Sequence, residues 1–272
     1  MKYEIKGTYK FMLGVMILVL GLFTGIYAYT TNMGVEGSAL GGIFIGLSFL
    51  VLFGTQLATF LFIVNSFKKE LYEDRGYLTF TLPMTGYQLV GSKLIIALFW
   101  FLLLGTVTVL YNFLMMFIFT DIEAGFSQII EAISPFIQFK SILFWFISLL
   151  FVGIGLLITI YFSMTIGRIT IRNKRIGGFW FIIFLVLTFL IMSFQTMITD
   201  AIPYYFDFNL FSFGTIEQLA TLQNMEYANE YFYFNITAPL TTFNIAGTFY
   251  SVIVVIALFV GTSYLVERKI DL

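Results

Sequence analysis

The chain has 272 residues, of which 60% are hydrophobic, 20% aromatic and only 11% charged, with a net charge of -1. A soluble domain carries about 25% charged residues, and a chain this apolar would expose large greasy patches to water, so a water-soluble globular protein is excluded. Cysteine and histidine are both absent, which removes disulfides, thiolate metal sites, a cysteine nucleophile, Ser-His-Asp triads and histidine-ligated zinc or haem.

Six apolar spans are expected in chain order, roughly 11–30, 41–65, 89–119, 142–167, 177–199 and 246–266. About 20 residues suffice to cross a bilayer. Helices are the expected form, because each satisfies its own backbone hydrogen bonds in hydrocarbon. The fold class is therefore all-α: a polytopic protein with six transmembrane helices in one domain over 1–272. Lys2, Lys6 and Lys10 precede the first apolar run, which continues past Leu20 to about Tyr29 without a small-x-small cleavage site. An uncleaved first span is the reading, rather than a signal peptide. The third span exceeds a bilayer's thickness and should tilt or project from it.

Lysine and arginine set the orientation. With the N-terminus inside, 13 of the 14 basic residues fall inside or at the inner boundary, and only Lys140 lies outside. Nine acids, from Glu36 to Glu230, fall outside. Both termini are then cytoplasmic. The basic turn Arg168 to Arg175 reads as an orientation anchor or a contact for a cytoplasmic partner. The longest outer segment, 200–244, has no lysine or arginine. It holds two aromatic clusters, Tyr204-Tyr205-Phe206 with Phe208, Phe211 and Phe213, and Tyr231 to Phe234. Interfacial or re-entrant packing explains such rings; an outer gate is the sharper reading. Asn235-Ile236-Thr237 matches a glycosylation acceptor, a pattern common by chance.

The spans contain no acid or base near their middles. That weighs against a proton-driven carrier, though not against a sodium-driven one using backbone carbonyls. Gln56, Asn112 and Gln195 are substrate-path candidates, with interhelical hydrogen bonding as the alternative role. Gly86 to Lys93 superficially resembles a phosphate-binding loop, but Lys and Ser stand in the wrong order and no strand precedes the glycines. No metal-ligating cluster and no catalytic group is expected, nor any contact with nucleic acid.

Between spans 2 and 3 lies Ser66 to Lys93. Leu71, Leu78 and Leu82 recur near helical spacing, opposite Lys68, Lys69, Glu70, Glu73 and Asp74. A short amphipathic helix on the inner membrane surface is expected. Gly76 weakens it and Pro83 ends it. Thr85 with Gln88 then fits a capping box that starts the next helix. Glu73, Asp74 and Arg75 can offer charge-assisted hydrogen bonds to a partner, while Tyr77, Phe80 and Leu82 can fill apolar pockets. The same residues could equally hold the helix on lipid.

Glu73-Asp74-Arg75-Gly76-Tyr77-Leu78-Thr79-Phe80-Thr81-Leu82-Pro83, followed by Gly91-Ser92-Lys93-Leu94, resembles the cytoplasmic signature of type-2 ATP-binding-cassette (ABC) exporter permeases. The six-span layout, internal termini and long outer loop before the last span are also similar; the residue-level likeness covers about 25 residues. The resemblance implies a transmembrane subunit, not itself an enzyme. Two copies of a separate cytoplasmic ABC ATPase would bind it, with ATP and Mg in those partners and no cofactor in this chain. A second permease, identical or related, would complete the complex. Glu73, Asp74, Arg75, Gly76, Tyr77, Phe80, Leu82 and Pro83 would form the coupling helix that docks on the ATPase. An amphipathic or hydrophobic cargo, peptide or lipid-like, suits so apolar a chain. The positive-inside pattern fits a bacterial inner membrane. A stand-alone sodium-coupled carrier or channel, and a membrane sensor or assembly protein, are the competing readings.

Overall fold

The computed structural model describes residues 2–32, 38–72, 85–119, 139–170, 179–222 and 241–268. Among them lie seven helices: α1 (Lys2–Asn32), α2 (Ser38–Tyr72), α3 (Gly86–Phe119), α4 (Phe139–Thr170), α5 (Phe179–Ala201), α6 (Ile216–Leu222) and α7 (Ile245–Arg268). Three short strands accompany them: β1 (Tyr205–Asp207), β2 (Ser212–Gly214) and β3 (Thr242–Asn244). All helices but α6 are long and apolar enough to cross a membrane. The chain is a multi-pass membrane protein. Helix α5 shows why water is the wrong solvent: it buries none of its residues, and Phe189 is 70% exposed. Such a surface is at ease only against hydrocarbon or another apolar chain.

The helices outrun the apolar runs that seeded them. Helix α1 begins at Lys2, so the basic start is itself helical. Helix α2 has 35 residues, about 52 Å at 1.5 Å per residue, against about 30 Å of hydrocarbon. It continues through Ser66–Tyr72, so the front of the expected surface helix is the end of α2. The remainder, with Glu73, Asp74, Arg75, Gly76, Tyr77, Phe80, Leu82 and Pro83, lies outside the described residues, as do the basic turn's 171–175 and the cluster at 231–234. Helix α3 matches the overlong third span, with 34 residues, and Thr85 stands immediately before it at the cap position.

The chain divides into two compact units. The first comprises Met1–Met84 with Gln88–Ala132, and so holds α1, α2 and most of α3. Its core packs Val19, Phe23 and Tyr27 of α1 against Met115 of α3. Polar side chains bind the helices where apolar contact alone gives no register. The Trp100 Nε1–H donates to Thr8 Oγ1 at 3.0 Å, and the Tyr27 hydroxyl reaches both the carbonyl O and the Oδ1 of Asn112 at 3.2 Å. Phe11 of α1 stacks on Phe62 of α2 at 4.0 Å. The buried Lys93 donates to Ser66 Oγ across α3 and α2 at 3.5 Å.

The second unit comprises Thr85–Tyr87 with Ile133–Leu272. Helices α4, α5 and α7 pack on one another, and the small sheet departs from an all-helical chain. Its order is β2-β1-β3, with both pairings antiparallel. Phe206 pairs with Phe213 on one side and Phe243 on the other, which lays a row of three rings across the strands.

Tyr27→Phe should cost about 0.6 kcal/mol, the usual size of an interhelical hydrogen bond in a membrane. Reversible unfolding in mixed detergent micelles would measure it, and a loss above about 2 kcal/mol would mean that Tyr27 does more than bond Asn112.

Candidate functional site

The second unit encloses a cavity of about 700 Å³, within the range of small-molecule sites. Each of three helices turns one stripe towards it: Phe144, Ser148, Phe151, Gly155 and Thr159 from α4; Phe184, Thr188, Ile191 and Gln195 from α5; Thr248, Ser251 and Val255 from α7. The spacing of three and four residues is that of a single helix face. The walls are mostly apolar, with hydroxyls and one amide set among them. Two of these hydroxyls are satisfied by their own helices. Thr159 Oγ1 donates to Gly155 O at 2.7 Å, and Ser251 Oγ to Gly247 O at 2.8 Å. The Thr188 hydroxyl oxygen is buried and has no hydrogen-bond partner among the described residues.

The sheet closes one end. Phe206, Phe208 and Phe243 line the cavity there, and Phe144 stacks on Phe243 at 6.2 Å and lies 5.8 Å from Phe208. Two polar side chains hold this lid in shape. The carboxylate of the fully buried Asp207 accepts the N–H groups of Asn209 and Leu210 at 2.7 and 3.2 Å, and the Thr241 hydroxyl at 3.2 Å. It thus folds the β1–β2 turn back on itself and ties it to the strand-β3 side. Phe211 completes that turn at a φ of 50°. Asn244 caps α7: its Oδ1 accepts the Gly247 N–H at 2.7 Å while its Nδ2 donates to Ile202 O at 2.8 Å. A side-chain cap of this kind contributes about 1 kcal/mol, and here it also joins the end of α5 to the start of α7. Gly247 lets the two helices meet, since a Cβ there would come within 2.6 Å of Thr199 Cγ2.

Lys140 sits at the same end. Its Nζ donates to Asn209 O at 3.3 Å and lies over the Phe211 ring at 4.9 Å. Ser141 exchanges hydrogen bonds with the Asn209 side chain at 3.0 to 3.3 Å. The start of α4 is therefore fastened to the turn of the aromatic hairpin.

A second junction lies at the far end of α7. The Gly86 N–H, first in α3, donates to Glu267 Oε2 at 3.1 Å. A carboxylate suits that place, because the opening N–H groups of a helix have no partner within it and carry a partial positive charge. A Cβ on Gly86 would overlap the Ser263 carbonyl oxygen, so only glycine permits this approach.

The three polar candidates from the sequence part company. Gln195 lines the cavity. Asn112 is bonded to Tyr27, and the Gln56 amide lies against Gly105; both belong to the packing of the first unit. The lid's key residues were not singled out from the sequence. A signal existed for two of them: Asp207 two residues before Asn209 suits a side-chain turn, and Asn244 directly before an apolar run suits a helix cap. Nothing in the sequence flagged Glu267 or the Lys140–Asn209 pairing, which join residues far apart in the chain. Among the described residues no group of three or more His, Cys, Asp or Glu is placed to hold a metal ion. Family models, curated proteins and solved structures gave no match to this chain.

Asp207→Ala should strip three donors of their acceptor and cost on the order of 2–3 kcal/mol. Limited proteolysis of the folded protein should then cut within residues 205–214 at least about tenfold faster, with Asp207→Asn intermediate, since an amide oxygen retains part of the acceptor role.

Proposed function

We propose that this chain is the transmembrane permease subunit of an ABC exporter. The observation that carries the reading is the Gly86 junction. The segment ending in Leu82-Pro83 leads within three residues to Gly86, and Gly86 is bonded to Glu267 and packed on Ser263 of α7. Helix α7 also supplies one wall of the cavity and, through Asn244, is joined to the lid. The hydrogen bond to Glu267 and the packing on Ser263 give a displacement of residues 73–83 a route to the cavity wall.

In this reading the coupling residues Glu73 to Pro83 dock on a soluble ATPase, two copies of which serve a pair of permeases. ATP and Mg bind in those partners, and this chain supplies no catalytic group. The cargo is amphipathic or hydrophobic, matching the mixed lining of phenylalanines, small hydroxyls and Gln195. The basic bias of the sequence supports cytoplasmic termini and fits a bacterial inner membrane.

Purification in mild detergent should bring down a stoichiometric soluble ATPase that is lost in Glu73→Lys and Gly76→Trp, both variants remaining inserted and monodisperse. A chain that purifies alone and transports on a sodium gradient after reconstitution would replace this reading with an independent carrier.

Gly86→Val tests the linkage itself. The ATPase should still bind, while transport per ATP hydrolysed falls at least about tenfold. Unchanged transport in Gly86→Val would show that the junction is only packing.

A further inference from the structure

We propose that the cavity between α4, α5 and α7 binds one fatty-acid chain, with its carboxylate at Lys140. The site stands on the second unit alone and needs no ATPase. The shape comes first. From Phe144 to Thr159 the lining of α4 runs about 22 Å at 1.5 Å per residue, roughly the length of an extended acyl chain of about 16 carbons. Spread over that length, 700 Å³ gives ample cross-section for a hydrocarbon chain lying along the helices.

Location comes second. Val152 of α4, Met192 of α5 and Val252 of α7 line the cavity and are exposed, Val152 and Met192 by more than half. They lie near the middle of three membrane-spanning helices. The cavity thus opens sideways at mid-helix, where hydrocarbon chains are the molecules at hand.

Charge comes third. The residues 200–244 contain no lysine or arginine, yet Lys140 is fixed against their turn by Asn209 and the Phe211 ring. Lys140 precedes the lining residue Phe144 by one helical turn, on the same face. Phe211 in turn lies 5.6 Å from the lining residue Phe208. A single cation at the aromatic end of a lipophilic tunnel matches a single anionic head, held by a charge-assisted hydrogen bond. Asp207, in the same turn, has a carboxylate oxygen committed to that turn and to Thr241.

The test is saturable binding of radiolabelled palmitate to the full-length protein in nanodiscs of neutral phosphatidylcholine, with monopalmitin as a neutral probe of the same chain. One palmitate per chain is expected. Lys140→Met should weaken palmitate by about tenfold or more and leave monopalmitin within about twofold. Ser251→Phe should abolish both ligands by filling the tunnel, and Thr188→Trp serves if that variant misfolds. Binding that does not saturate, or that survives both filling variants, would be ordinary lipid on the outside of the helices and would overturn the proposal. An equal loss of palmitate and monopalmitin in Lys140→Met would overturn the assignment of the head group. Failure of palmitate to bind would leave ATPase co-purification untouched, and the reverse holds as well.

Discussion

A backbone buried in hydrocarbon or under packed side chains must find partners for its hydrogen-bonding groups, and this constraint runs through both units. Along six helices the demand is met locally, one residue after another. After α5 the chain leaves the helix, and its donors and acceptors must find partners elsewhere. A three-stranded sheet meets part of the demand. Asp207 meets the demand of the turn, and Asn244 that of the α7 start. The aromatic lid therefore rests on two polar side chains. Phenylalanines fill its surface, but they do not give it a shape, since apolar contacts are non-directional.

The same division of labour runs through the first unit. Its helices are apolar on nearly every side, so lipid and neighbouring helices attract them alike. Register is set by sparse polar contacts: Trp100 with Thr8, Tyr27 with Asn112, and Lys93 with Ser66. Of the amides that looked available for a substrate, Asn112 takes part in one of these contacts. Gln195 differs in lining the cavity between α4, α5 and α7.

The cavity, its lid and the Gly86 junction form one mechanical sequence within the second unit. Helix α7 is common to all three. Its start is pinned by Asn244, its middle forms a wall through Ser251 and Val255, and its end is held to α3 by Glu267 and Ser263. Contacts at both ends of α7 thus frame the wall that it gives to the cavity. A lipophilic occupant would bear on the same helix from the side.

The sequence by itself determined that the chain crosses a membrane, where the spans lie and that the third is overlong. These are sums over local hydropathy and length, which no tertiary contact overrides in hydrocarbon. It also marked the aromatic segment after α5 and the start of α3 next to Thr85. Where the spans end was less legible: α2 runs on through Lys68, Lys69 and Tyr72, because a helix once started continues at little cost into polar sequence. Only the tertiary structure decided that the rings of 204–213 form a hairpin lid, that Lys140 meets Asn209, and that Gly86 meets Glu267 across 181 positions. Such pairings depend on which helices converge, and convergence is set by the fit of whole faces. No periodicity within a single segment records it.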